Sequence, residues 1–437
     1  MFRSLRLVNY RLWFAGALVS NVGFWMQRTA QDWIVLTELT NYDAAAVGLT
    51  MGLQMAPQLL LVPWSGLIAD RFDRRKLLMT TNLMMAALAV GLGLIVVTGI
   101  VELWHVYAFA LAGGVVSAIE NPVKQAFVSD LVSEQNLANA VSLNAASFSG
   151  ARMIGPAIAA ALVLLVGPGW VFLINALTFA ATLIALARLR LGQLVQSPRL
   201  ERGRGNIRAG FRYVARQPDI QIIMVMVFLV GTFGMNFPIF AATMTTVEFG
   251  LGVGEYGVLL SCLAIGSVIG ALLAARRERP QLRFVIFGAA AFGAAVAFAA
   301  VMPTYWAFAA ALFFAGISVQ TIMSTANGVV QLGTAPAMRG RVMALYIAIF
   351  LGGTPLGAPF VGWVANHFGP RWAMGLGATS GILAALIAIV YLIRAHEVRL
   401  HYEPSARLRF VLRHNDRLTR AGAKEELALD EAVAKKV

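Results

Sequence analysis

Four ionisable side chains, Arg28, Asp32, Glu120 and Arg152, fall inside stretches of sequence that are otherwise apolar. An ionised group facing lipid at the middle of a bilayer costs about 2.5–3.5 kcal/mol, so each must face a partner or a watered cavity. Asp32 and Glu120 are the only carboxylates so placed, which makes them, with Arg28 and Arg152, the candidate proton-coupling groups. Desolvation favours the protonated form of a carboxylate and a nearby arginine favours the ionised form, so a gate that alternately pairs and separates them is a proton switch. A static reading stands beside this one. Arg28 with Asp32, and Glu120 with Lys124, are spaced i,i+4 on a helix, as a structural ion pair would be.

The spacing continues into stripes. Asn21, Trp25, Arg28 and Asp32 fall at i, i+4, i+7 and i+11 of one helix, and Gln320, Ser324, Asn327 and Gln331 repeat those intervals. Asn21, Trp25, Gln320, Ser324 and Asn327 are therefore candidate lining of a substrate cavity. Asn236, with Pro238 two residues on, joins them as a point where a helix breaks at the cavity; a satisfied interhelical hydrogen bond is its alternative role.

The elements that must position these residues are membrane-spanning helices. The chain has 437 residues, 59% hydrophobic and 13% charged, with a mean hydropathy of +0.73, far from the composition of a water-soluble domain. Its apolar residues come in blocks of about 20, the length that crosses roughly 30 Å of hydrocarbon. Punctuation by charge, Gly and Pro predicts twelve helices, near 12–36, 45–69, 77–99, 104–126, 139–166, 170–190, 220–243, 256–275, 283–302, 305–330, 341–366 and 371–394. The fold class expected is thus an all-α membrane protein. Residues 1–13 carry Arg3, Arg6 and Arg11 ahead of an apolar stretch, as a signal peptide would, but no small-residue cleavage pattern follows, and they read as the entry to a retained first helix.

The net charge of +14 reflects topology rather than nucleic-acid binding. Of the 35 Lys and Arg, 32 lie at the N-terminus, in alternate connections and in the tail, and the intervening connections hold only Arg371. By the positive-inside rule both termini are expected in the cytoplasm of a multi-pass cell-membrane protein. The basic stretch between Arg188 and Arg216 divides the helices six and six. The expected domains are a six-helix bundle at 1–190, a cytoplasmic linker at 191–219, a second bundle at 220–394 and a basic tail at 395–437. Ile207, Phe211 and Val214 share one face of a linker helix and Arg208, Arg212 and Arg216 another, as on a helix lying on an anionic leaflet; a solvated linker is the alternative. The tail repeats the spacing with Arg409, Arg413 and Arg417 and then turns mixed-charge, as disordered segments do.

The halves echo each other. Gly155 and Gly357, then Gly167-Pro168-Gly169-Trp170 and Gly369-Pro370-Arg371-Trp372, are separated by the same 202 residues. Such parallel repeats suggest two bundles related by an axis along the membrane normal, a geometry that rocks about a midplane cavity.

Motifs then narrow the reading. Gly66-Leu67-Ile68-Ala69-Asp70-Arg71-Phe72-Asp73-Arg74-Arg75, between the second and third helices, resembles the signature loop of the major facilitator superfamily, with Asp73 where the superfamily has glycine. The resemblance implies a conformational latch built on Gly66, Asp70, Arg71 and Arg74, with Asp70 set against the N-terminal end of the eleventh helix; basic residues that only set the topology are the alternative. Gly150-Ala151-Arg152-Met153-Ile154-Gly155-Pro156 in the fifth helix resembles the superfamily's antiporter motif and implies a gate at Gly150, Gly155 and Pro156; ordinary close helix packing would use the same small residues. With Asn121-Pro122, Asn139 to Asn144, Trp25 to Arg28 and Arg339 to Val342, the chain is similar to the twelve-helix drug:proton antiporter branch that includes the enterobactin exporters. That similarity implies proton-coupled export of small amphipathic molecules, of drug or siderophore class, by alternating access. Proton-coupled uptake and a non-transporting scaffold or membrane enzyme are the alternatives.

Other chemistries lack their residues. Cys262 is the single cysteine, the five histidines show no metal spacing, and no Walker sequence occurs, so no metal and no cofactor are expected. Small molecules, protons and lipid are the expected partners, without nucleic acid, for a chain that works as a monomer.

Overall fold

The computed structural model describes residues 3–61, 64–65, 68, 71–194, 207–276, 280–335, 338–396, 400–402 and 410–412. Among the described residues a helix covers each of the twelve expected positions. They are α1 (Val8–Ile34), α2 (Ala44–Leu60), α3 (Arg74–Val97), α4 (Leu103–Leu131), α5 (Glu134–Val166) and α6 (Pro168–Ala187) in the first half. The second half holds α7 (Pro218–Glu248), α8 (Val253–Ala275), α9 (Leu282–Ala300), α10 (Tyr305–Leu332), α11 (Arg339–Phe368) and α12 (Pro370–His396). Ten of these are long and apolar enough to cross a membrane. The others are α1, whose polar stripe lowers its apolarity, and α2, described as a continuous helix over 17 residues.

Local chemistry sets the helix ends. Asp43 caps α2, its Oδ1 accepting from the amides of Ala45 at 2.8 Å and Ala46 at 3.2 Å. Asp73 caps α3 through the Lys76 amide at 2.9 Å with φ −62°, so the position where the superfamily carries glycine needs no left-handed conformation here. Gly167 and Gly369 end α5 and α11 with φ of +88° and +96°, and each hands over to a proline at the start of the next helix. The repeated Gly-Pro is therefore one turn built twice, in a conformation that only glycine adopts readily.

Two helices are interrupted. α7 widens over Val230–Gly234, opens at Met235 and Asn236, and resumes at Phe237. α11 breaks at Gly353, which packs directly on Thr232 of α7, so the two interruptions face each other.

The first half packs α1 on α5 and α6, α3 on α4 and α6, and α2 on α4; the second packs α8 on α10, α9 on α10 and α12, and α11 on α12. Across the halves the principal joints are α2 with α11 and α5 with α8. They are the same joint under the repeat. A Cβ on Gly48 would collide with the Ala358 carbonyl, and one on Gly257 would stand 3.0 Å from the Pro156 carbonyl and 2.5 Å from the Ala160 Cβ; Pro156 and Ala358 are again 202 apart. Both joints lie toward the face opposite the termini. There Asn366 of α11 accepts from the Ala44 amide at 2.8 Å and donates to Asp43 Oδ1 at 2.6 Å.

At the face bearing the termini, Tyr10 donates to the Ala140 carbonyl at 2.7 Å, and Ser4 donates to Asn139 Oδ1 at 2.9 Å. The linker helix is Ile207–Val214. It packs on the start of α11 through Gly210 and buried Val214, and the Tyr213 hydroxyl accepts from the Ala335 amide at 3.1 Å, while Phe211 is exposed. In the tail, β1 (Leu400–Tyr402) pairs antiparallel with β2 (Phe410–Leu412), so 410–412 is strand rather than the continuation of a helical stripe; Arg409, Arg413 and Arg417 lie outside the described residues.

Candidate functional site

The stripe on α1 runs along the seam between the halves. A cavity there is lined by Trp25, Arg28, Thr29 and Asp32 of α1, Arg152 and Pro156 of α5, Met235, Phe237 and Pro238 beside the break in α7, and Leu260, Leu263, Ala264 and Ser267 of α8. Gly155 makes the site possible: a Cβ there would stand 2.6 Å from the Trp25 Cβ, so glycine lets α5 approach α1 closely enough for Arg152 to reach the indole. The guanidiniums of Arg28 and Arg152 lie 5.8 and 5.4 Å from the Trp25 ring centroid, a cation–π arrangement on one ring.

Asp32 is 1% exposed. Its Oδ1 has no hydrogen-bond partner, and no ion pair within 4.0 Å joins it to Arg28 among the described residues. The i,i+4 pair suggested by spacing is open because Arg28 turns toward Trp25. Tyr256 of α8, fully buried with an unpartnered hydroxyl, stacks on Trp33 at 5.5 Å.

A second cavity lies within the first half among α1, α2, α3, α4 and α6. Its polar wall is Gln27, Arg28 and Gln31 of α1, Gln54 and Gln58 of α2, Ser117 of α4 and Asn175 of α6. Gln27 accepts from Asn175, and Gln58 accepts from Asn121 at 3.3 Å. Gln31 Nε2 and Gln54 Oε1 are buried without partners. Arg28 lines both cavities. Sequence reasoning missed these glutamines; two i,i+4 amide pairs, Gln27–Gln31 and Gln54–Gln58, were the signal.

Glu120 is 3% exposed, and its Oε1 accepts from Lys124 Nζ at 2.7 Å and Asn82 Nδ2 at 3.1 Å, a closed arrangement outside both cavities. Of the expected cavity residues, Trp25 alone lines either of the two. Asn21 donates to Ser147 at 3.3 Å, Gln320 to Ser324 at 3.1 Å, and Gln331 to Asn327 at 3.0 Å. Asn236 Nδ2 closes on the Thr232 carbonyl at 2.8 Å while its Oδ1 is buried and unpartnered. Gly150 faces open space, unlike Gly155. Gly66 and Asp70 lie outside the described residues; Arg71 is exposed, and Arg74 pairs with Asp130 of its own bundle at 2.7 Å.

Two repeated six-helix bundles around a charged seam define a transporter of the major facilitator superfamily, not an enzyme. Residues 2–424 match the family described as transmembrane secretion effectors, and the chain belongs to that family. It is 24% identical over 266 residues to the staphyloferrin A transporter of Staphylococcus aureus (strain NCTC 8325 / PS 47), covering 60% of this chain and 66%, just under two thirds, of that relative. It is 24% identical over 369 residues to the enterobactin exporter EntS of Shigella flexneri, covering 84% of this chain and 87% of the relative. Among solved structures, a bacterial homolog of the human lysosomal transporter Spinster superposes with a TM-score of 0.69 at 16% identity, over 89% of this chain and 96% of the other, a likeness of fold.

Proposed function

We propose that this protein is a proton-coupled secondary transporter that exports a small amphipathic molecule by alternating access, with both termini in the cytoplasm and Asp32 as the group that loads and releases the proton. The observation that carries the reading is Asp32 itself: a carboxyl 1% exposed, facing a cavity between the halves, with an oxygen that no donor satisfies. A buried carboxyl without fixed partners changes protonation when its surroundings change, and rocking of the halves changes them. Arg28 and Arg152 set the field around it, and Gly155 with Pro156 gives the close joint about which α5 moves. Glu120, satisfied by Lys124 and Asn82, holds α3 and α4 together. At the face opposite the termini the closure is the Asp43–Asn366 contact between α2 and α11. The name of the enterobactin exporter supports export of a siderophore-like cargo.

A second reading, proton-coupled uptake, is favoured by one observation: the cavity sets two arginines against one carboxylate. An ionised Asp32 repels an anionic cargo, so its protonation would load proton and cargo together. Purified protein in vesicles with an imposed pH gradient separates the readings. Export by exchange moves protons against the cargo, uptake moves them with it, and Asp32→Asn abolishes proton-linked flux in both. Full proton-linked flux in Asp32→Asn would remove Asp32 from the mechanism.

A further inference from the structure

The seam cavity carries more positive charge than its walls neutralise. Arg28 and Arg152 stand over one indole at 5.8 and 5.4 Å and act on each other as like charges. The ion pairs among the described residues, Arg74–Asp130, Lys124–Glu120 and Arg371–Glu248, include neither arginine. Asp32 is the one carboxylate lining the cavity, and it closes on neither of them within 4.0 Å. Two guanidiniums held together in a cavity walled by Phe237, Leu260 and Leu263 repel each other until an anion bridges them, and arginine's planar fork suits carboxylate and other acidic oxygens.

The second observation is independent of charge. Arg28 also lines the cleft of Gln27, Gln31, Gln54 and Gln58, and there Gln31, 3% exposed, holds an unpartnered Nε2, while Gln54 holds a buried, unpartnered Oε1. A donor and an acceptor without partners, beside an arginine shared with the charged cavity, mark a place for neutral polar groups on the same ligand.

We propose that the cargo is an organic anion whose acidic oxygens lie between Arg28 and Arg152 over Trp25, and whose neutral hydrogen-bonding groups extend past Arg28 into the glutamine cleft. This rests on the carrier reading above and names the class of molecule carried.

Thermal stabilisation of the purified full chain in lipid nanodiscs tests it, with citrate and 2,3-dihydroxybenzoate as anionic probes, catechol as a neutral probe and tetraphenylphosphonium as a cation. At least one anion is expected to raise the Tm in a saturable way, with catechol weaker and tetraphenylphosphonium without effect. Arg28→Gln and Arg152→Gln are each expected to weaken that anion's apparent Kd by about tenfold or more. Arg28→Lys and Arg152→Lys, which keep the charge and lose the fork, should fall between, and they decide the matter if the Gln variants do not fold. Gln31→Leu should weaken the larger anion and spare the smaller. The proposal is overturned if neither anion stabilises the protein, if the Arg variants bind as the parent does, or if tetraphenylphosphonium alone binds. Anion binding by a protein that moves nothing across vesicles would defeat the carrier reading and leave the site standing; flux without anion binding would do the reverse.

Discussion

Asp32 and Glu120 show how two buried carboxyls with the same i,i+4 basic neighbour diverge. Lys124 closes on Glu120 at 2.7 Å, whereas Arg28 has Trp25 beside it and leaves Asp32 open. Removing the Glu120 charge should therefore act on stability. Glu120→Gln strands Lys124 and is expected to cost on the order of 2 kcal/mol, read as a lower Tm, which Glu120→Gln with Lys124→Gln should recover. A Glu120→Gln protein with the parent's Tm and no proton-linked flux would instead place Glu120 in the coupling pathway. Spacing alone made both carboxyls candidates, because it reports which residues share a helix face and not which aromatic ring draws the cation away. The glutamine cleft was illegible for a related reason: Gln27 and Gln31 meet Gln54 and Gln58 only once α1 and α2 are packed.

At the scale of elements, the helices were legible because lipid leaves the backbone few options: each apolar block must satisfy its own amides and carbonyls. The breaks at Asn236 and Gly353 follow from Asn236-Phe237-Pro238 and Gly353-Thr354-Pro355, where a proline lacks the amide that would continue the ladder. The linker helix approaches α11 at Gly210, beside Arg341 and Leu345, a contact that its own spacing did not show. The repeated Gly-Pro turns carry a quantitative consequence. Gly167→Ala and Gly369→Ala each force alanine into a conformation essentially reserved for glycine and are expected to cost about 1–3 kcal/mol, measured by thermal unfolding. Equal stability in either variant would show that the turn relaxes. The joints behave differently, since a methyl at Gly48 or Gly257 meets the opposite half rather than its own backbone. Gly48→Ala and Gly257→Ala should therefore push α2 from α11 and α5 from α8, raising the access of water-borne reagents to the seam from the face opposite the termini.

For the whole molecule, the halves are joined away from the termini by helix joints repeated about the pseudo-twofold axis, with Asp43, Ala44 and Asn366 closing one of them. Asn366→Ala removes two hydrogen bonds between the halves, each worth about 0.5–1.5 kcal/mol net, and should shift the population toward opening on that face several-fold. Unaltered accessibility in Asn366→Ala would mean that the α2–α11 and α5–α8 packing alone holds the closure. The 202-residue echo showed which helices correspond, α5 with α11 and α6 with α12, but not which of them meet across the halves, and the closing contacts were hidden because Asn366 has no counterpart motif in the first half.

The most direct measurement of alternating access is the labelling of Thr29→Cys, a wall residue of the seam cavity, in a Cys262→Ala background, by a membrane-impermeant thiol reagent added to one side at a time. The rocking halves described above require modification from both sides, faster from the termini-bearing face in the parent and faster from the opposite face once Asn366→Ala is added. Modification from neither side, or from a single side unmoved by Asn366→Ala, would contradict a carrier whose central carboxyl is exposed to each side of the bilayer in turn.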